Sequence, residues 1–132
     1  MWSYFQSLAR DDNKRFVAAW QSRFGADKVT SDPVEAAYVG VHLWAQAVRD
    51  AGSPEPERVD QFVLRQSFAG PSEVSTVDAA TRHVWKMVRV GKVGADGQFA
   101  QVFASTGPIR PEPWPFYRSR EAWQALAGGS GQ

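Results

Sequence analysis

HVWKMVRVGKVGADGQFAQV, residues His83–Val102, is followed after four further residues by GPIRPEPWP, Gly107–Pro115. From Val84 the apolar period is two. Val84, Val88 and Val90 fall on one face, and Trp85, Met87 and Val93 on the other, as a strand requires. Gly94-Ala95-Asp96-Gly97 supplies the turn, and Phe99, Gln101 and Phe103 then alternate with Ala100 and Val102. The stretch therefore predicts an antiparallel hairpin that leads into an exit stiffened by prolines. Nothing in it carries chemistry. A lone hairpin is marginally stable, so the remaining chain must cover it.

Working back from the hairpin, Phe68–Glu73 reads as a turn region, and the three segments before it read as helices. Asp11 and Asp12 precede a helical stripe of Phe16, Val17, Trp20 and Phe24, with Gly25 as the expected left-handed stop. Asp32-Pro33-Val34-Glu35 looks like a capped start, with Glu35 placed for a capping box. Val34, Ala37, Tyr38, Val41, Leu43, Trp44, Ala47 and Val48 then cover much of that helix, which calls for cover on more than one side. It ends at Gly52. Ser53-Pro54-Glu55-Pro56 opens a third helix with Val59, Phe62 and Val63 inward. Trp2–Leu8 reads as a buried strand or a loop, and Ser119 as the cap of a last helix carrying Trp123 and Leu126. The expected order is three helices, a hairpin and a helix, with at most one early strand.

With 132 residues the chain is sized for one domain, residues 1–127, with a flexible Gly-rich tail at 128–132. Its 15 basic and 14 acidic side chains leave no electrostatic footprint for nucleic acid. No window is apolar enough for membrane insertion, and the N-terminus has no basic region of a signal peptide. Lack of cysteine excludes a disulfide framework or thiolate metal site and leaves the redox compartment open.

Catalytic constellations are also missing. His42 and His83 are far apart in sequence and lack acidic neighbours at helical spacing, so no metal site is expected. His42 reads as packing and His83 as a loop-orienting hydrogen bonder. No serine sits in a G-x-S-x-G elbow, and there is no G-x-G-x-x-G and no P-loop. Asp11/Asp12 and Glu55/Glu57 read as acids at helix starts, Arg110-Pro111-Glu112 as a surface strut, and Arg118/Arg120 as a solvated face. No cofactor is expected, and the chain is expected not to be an enzyme.

Taken in order, Tyr4–Leu8, Asn13–Val17, Phe24–Thr30, Asp32–Tyr38, Leu43–Val48, His83, Val88–Gly91, Asp96–Phe99 and Pro108–Pro113 resemble one family's C-terminal part. That family is the type I periplasmic solute-binding proteins of ABC transporters, in its urea, short-chain amide and branched-chain amino-acid branch. The resemblance spans residues 2–117, the last third of a family member. It implies an α/β class: a partial type I periplasmic-binding-protein fold, helices plus a C-terminal antiparallel hairpin. The helix of residues 33–51 would return to the first lobe, and the hairpin would lie by the hinge.

The resemblance further implies non-catalytic capture of a small polar solute (an amide, urea or an amino acid) and delivery to an ABC permease. It implies a periplasmic address, or a cytoplasmic one if the parent is a sensor or a truncated product. It brings Glu35 and Tyr38 to the cleft edge as ligand-binding residues. In one place the chain departs from the family pattern. Relatives usually carry a Gly after the proline in the turn before the hairpin, as P-x-G or P-E-G, where this chain has Pro71-Ser72-Glu73. The competing expectation is a truncated structural module that covers its bare apolar faces by homo-oligomerisation.

Overall fold

The computed structural model describes residues 1–128. Their elements fall into two groups that the chain visits alternately. The first visit forms the N-terminal segment and helix α1 (Asp11–Phe24). The chain then leaves for α2 (Asp32–Ala51), α3 (Pro56–Val63) and an antiparallel sheet of β1 (Ser67–Ala69), β2 (Val74–Val77) and β3 (Val84–Trp85), in that order. It returns to build the hairpin of β4 (Arg89–Val93) and β5 (Phe99–Ala104), and ends in α4 (Arg120–Gly128). Single bridges join Trp2 to Arg89 and Lys86 to Ile109, so the first and last segments flank the crossing at residues 86–88.

Helix α2 is the axis of its group. Pro33 sits in its first turn, and Gly52 ends it in the left-handed conformation at φ 63°, ψ 18°. Glu35, Val39, Leu43, Ala47 and Ala51 are buried, one side chain per turn along a single stripe. Val39 and Leu43 form a core with Val77, which Leu64, Phe68 and Val84 surround. Val59 of α3 is buried as well. In the other group, the Phe5 ring stacks on Phe99 at 5.0 Å. It lies so close to β4 that a Cβ on Gly91 would fall 2.8 Å from Phe5 Cζ. Only glycine permits that approach.

Several expectations need correction. The alternating run from Val84 is not one strand of the hairpin. Val84 and Trp85 pair with Val77 and Thr76, while the hairpin begins at Arg89 and carries a bulge between Val90 and Gly91. The reason is the anchorage of residues 85 and 86: Trp85 Nε1 donates to Asp78 Oδ2 (3.0 Å) and Lys86 Nζ to Glu35 Oε2 (2.5 Å). Strands β1 and β2 were not expected. At three and four residues they are too short to display a period, and the bend at 70–73 between them was the visible signal.

At the helix ends, Gly25 has the positive φ expected but an extended conformation (φ 121°, ψ 144°) in place of a left-handed one. A Cβ at Gly25 would lie 2.9 Å from Asp27 Oδ1. Asp32 does not cap its helix. The N-cap is Ser31, and Asp32 Oδ1 accepts from the Ser3 amide (3.2 Å) and hydroxyl (2.5 Å) across the junction. Trp2–Leu8 is a loop with one bridge. Ser119 does cap α4, accepting from the Ala122 amide at 3.2 Å. The tail expected at 128–132 lies, from residue 129 on, outside the described residues.

Candidate functional site

The two groups meet at a buried polar junction centred on Glu35 and the turn that follows β1. Glu35 is 0% exposed. The helical stripe carries it inward with Val39 and Leu43, where an isolated carboxylate would be costly. Both oxygens are engaged: Oε1 accepts from Ser72 Oγ at 2.6 Å, and Oε2 from Lys86 Nζ at 2.5 Å. Neither bond is a capping box, so this acid in the first turn of the helix is spent on tertiary structure.

Arg89 lies beside it, 4% exposed at the start of β4. Among the described residues no carboxylate forms an ion pair with it. Its Nε donates to Gln101 Oε1 (3.0 Å), one terminal nitrogen to the Ser3 carbonyl (2.6 Å), and the other to the Ser72 carbonyl (2.8 Å). Burial therefore pulls the guanidinium below its ordinary pKa, against the opposing charges of Glu73 and Glu35. Glu73, next along the turn, pairs with Arg10 at 3.1 Å, just ahead of α1. The turn is closed by the Gly70 amide on the Glu73 carbonyl at 3.0 Å. A four-residue turn thus holds α1, α2 and β4 together.

A cavity of about 350 Å³ opens beside this turn, lined among others by Asp12, Arg15, Phe16, Tyr38, Phe68 and Pro71. Tyr38 stands one turn beyond Glu35 and is 38% exposed. Its ring meets Phe16 of α1 at 4.8 Å and Phe68 of β1 at 6.0 Å. At the same mouth, Arg15 and Asp12 form an ion pair of 2.5 Å. The wall offers flat apolar surface for a ring or alkyl group and a charged pair for polar ends. Tyr38 therefore faces open space, while Glu35 lies behind the wall with no surface of its own.

Two further clusters brace the site. The Tyr4 hydroxyl donates to Asn13 Oδ1 at 2.8 Å and contacts Thr30 Oγ1 at 2.6 Å, tying the N-terminal segment to α1 and to the crossing before α2. Burial pushes the Tyr4 phenol up to about 12, although the Thr30 hydrogen bond opposes it. Asp78 accepts from the Thr81 amide (2.9 Å), Arg110 Nε (3.0 Å) and Trp85 Nε1 (3.0 Å). Burial alone would raise its pKa, but those hydrogen bonds together hold it well below the usual carboxylate range. Arg110 is thus a tether for the proline-rich exit, more than a surface strut.

The remaining candidates stay apart from this region or show no chemistry. His42 stacks flat on Phe68 at 4.3 Å, which is packing. His83 Nδ1 meets the Thr81 carbonyl at 2.7 Å, a loop-orienting contact. Arg118 covers Trp123 at 4.7 Å, and is not simply solvated. Among the described residues no group of three His, Cys, Asp or Glu side chains could hold a metal ion. No helix of the described residues is long and apolar enough to cross a membrane. Sequence reasoning missed Ser72, Lys86 and Arg89. An Arg and a Lys at inward positions of an alternating run were the available signal.

Two groups of helices and antiparallel strands, joined by repeated crossings, thus enclose one polar junction. The model of the periplasmic binding protein domain matches residues 1–120, and the chain belongs to that family. Among solved structures, it resembles a solute-binding protein of an ABC transporter from Rhodopseudomonas palustris BisB5, in complex with 3,4-dihydroxybenzoic acid. That match has a TM-score of 0.73 and 21% identity, covering 83% of this chain and 31% of that one. A leucine-binding protein from Thermotoga maritima MSB8 follows at TM-score 0.63 and 20% identity, covering 77% of this chain and 29% of that one. A curated relative named limonene hydroxylase, from Geobacillus stearothermophilus, is 32% identical over 111 residues, 84% of this chain and 20% of its own. The chain therefore spans under a third of those solved proteins and a fifth of that relative. The solved structures bear out the expected fold class of helices with antiparallel strands.

Proposed function

We propose that this chain is the C-terminal part of the solute-binding component of an ABC-type uptake system, a periplasmic protein that captures without making or breaking bonds. The observation that carries this reading is the family match across residues 1–120, supported by the fold likeness to solved solute-binding proteins. The solute is a small polar molecule such as urea, a short-chain amide or a branched-chain amino acid, delivered to an ABC permease. Tyr38 belongs to the cleft edge, where its exposed ring offers a contact surface. Glu35 belongs to the same edge through the support it gives that helical turn. The matched fifth of the hydroxylase supplies no oxidative step to this reading.

Calorimetry tests it directly. A natural protein containing this sequence with both lobes should bind one of urea, acetamide or leucine, and lose affinity in Tyr38→Ala. Absence of binding to all three, or binding of 3,4-dihydroxybenzoate alone, overturns the solute classes proposed. The 132-residue chain by itself should bind them weakly or not at all, because a small solute needs convergent polar groups from both sides of a cleft. Micromolar affinity of the chain alone would overturn that expectation.

A second reading, a self-associating structural module, is favoured by one observation. Phe24, Val41 and Trp44 expose apolar surface along α1 and α2. Light scattering would show a concentration-dependent dimer under this reading, and a monomer at high concentration would remove it.

A further inference from the structure

The turn Gly70–Glu73 ties three elements together through neighbouring residues. We propose that Ser72 and Glu73 make this turn a positioning hub that fixes the spacing of α1 and α2, and with it the width of the Tyr38 cavity. The inference rests on the solute-binding reading only for its functional consequence. The geometry stands independently.

Three connections run outward from adjacent residues. Ser72 Oγ reaches Glu35 Oε1 on α2, one turn before Tyr38. The Ser72 carbonyl takes a nitrogen of Arg89, whose other two bonds hold the N-terminal segment and β5. Glu73 takes Arg10 at the entry to α1, two residues before Asp12 at the cavity mouth. Gly70 and Pro71, just ahead, are themselves part of the cavity wall. A displacement of the turn therefore moves that wall and both helical walls in concert. Glycine at position 72 would keep the backbone acceptor for Arg89 and lose the hydroxyl link to Glu35 of α2.

Arg89 is the other half of the device. A buried guanidinium with three neutral acceptors on three segments is satisfied only while all three keep their places. Its planar fork matters more than its charge, since an ammonium cannot hold the same directions. Arg89 and Ser72 are accordingly positioning residues with no contact to the cavity.

The test exploits the cysteine-free sequence. Spin labels at Ser22→Cys and Arg49→Cys, both exposed, report the α1–α2 distance by pulsed dipolar spectroscopy. Ser72→Gly and Arg89→Lys should each broaden and shift the distance distribution relative to the parent labelled chain, with helical circular dichroism retained. Glu73→Gln should do so less, since its pair with Arg10 is partly exposed. Asp60→Asn, which removes an exposed ion pair to Arg82 away from the turn, should leave the distribution unchanged. Unchanged distributions in Ser72→Gly and Arg89→Lys overturn the proposal. So does an equal broadening in Asp60→Asn, because the effect would then be general loosening. Ser72→Gly is the milder change and keeps the test open if Arg89→Lys fails to fold. The readout needs no solute, so failure of the binding assays above would overturn the solute reading and leave the hub standing.

Discussion

Two surfaces of helix α2 lie a few residues apart and have opposite standing. The inward stripe from Glu35 to Ala51 is fully occupied: apolar groups meet apolar groups, and Glu35 has a partner for each oxygen. The neighbouring face carries Val41 at 64% exposure and Trp44 at 52%. Val41, with Val34 and Ala37 of the same helix and Phe16, Trp20 and Phe24 of α1, lines an apolar groove of about 550 Å³. Polarity does not decide burial here, since a carboxylate is inside and a tryptophan is outside. Position relative to the sheets does. The contrast teaches that this part of the chain is internally complete at its junction and open along its helices.

The contrast can be broken most severely at Glu35. Glu35→Ala should destabilise the chain by about 3 kcal/mol in urea unfolding, because it strands Lys86 and the Ser72 hydroxyl at a buried site. A loss of a few tenths would mean water solvates the junction and the inside–outside distinction fails. Leu43→Ala, on the same stripe, should cost about 2–3 kcal/mol through the cavity left against Val39 and Val77.

The Tyr4 cluster gives the comparison a pH dependence. A phenol raised to about 12 in the folded protein favours the folded state while it stays protonated. The stabilisation is fully present below the ordinary phenol pKa of 10.0 and is lost as pH climbs through about 12. Unfolding midpoints measured from pH 9 upward should fall, and Tyr4→Phe should flatten that fall while lowering stability at neutral pH by about 1 kcal/mol. An alkaline limb identical in Tyr4→Phe would assign it to other groups. The smallest effect belongs to the open face. Val41→Lys should change unfolding free energy by under about 0.5 kcal/mol, since little is buried there. A large loss would show that the groove is closed in solution.

The two ends of α2 show how much was legible. Gly52 was readable as a stop because a left-handed residue is a local demand that one glycine answers. Asp32 and Glu35 were readable as helix-start acids by the same local logic, and there the logic failed. Ser3 claimed the first, and Ser72 with Lys86 claimed the second, from 29, 37 and 51 residues away. Tyr38 was legible as a wide-faced helix residue, and its cavity was not, because β1 was too short to be seen.

By itself the sequence determined the four helices, the Asp96-Gly97 turn, the proline-stiffened exit and the family resemblance. Each depends on neighbours within a few residues or on a pattern carried along the chain. Only the tertiary structure decided that the run from Val84 to Val93 is shared between two sheets. It alone brought Ser72, Glu35 and Arg89 together. Those outcomes depend on which distant groups compete for one buried carboxylate and one buried guanidinium, and that competition exists only once the chain has crossed back on itself.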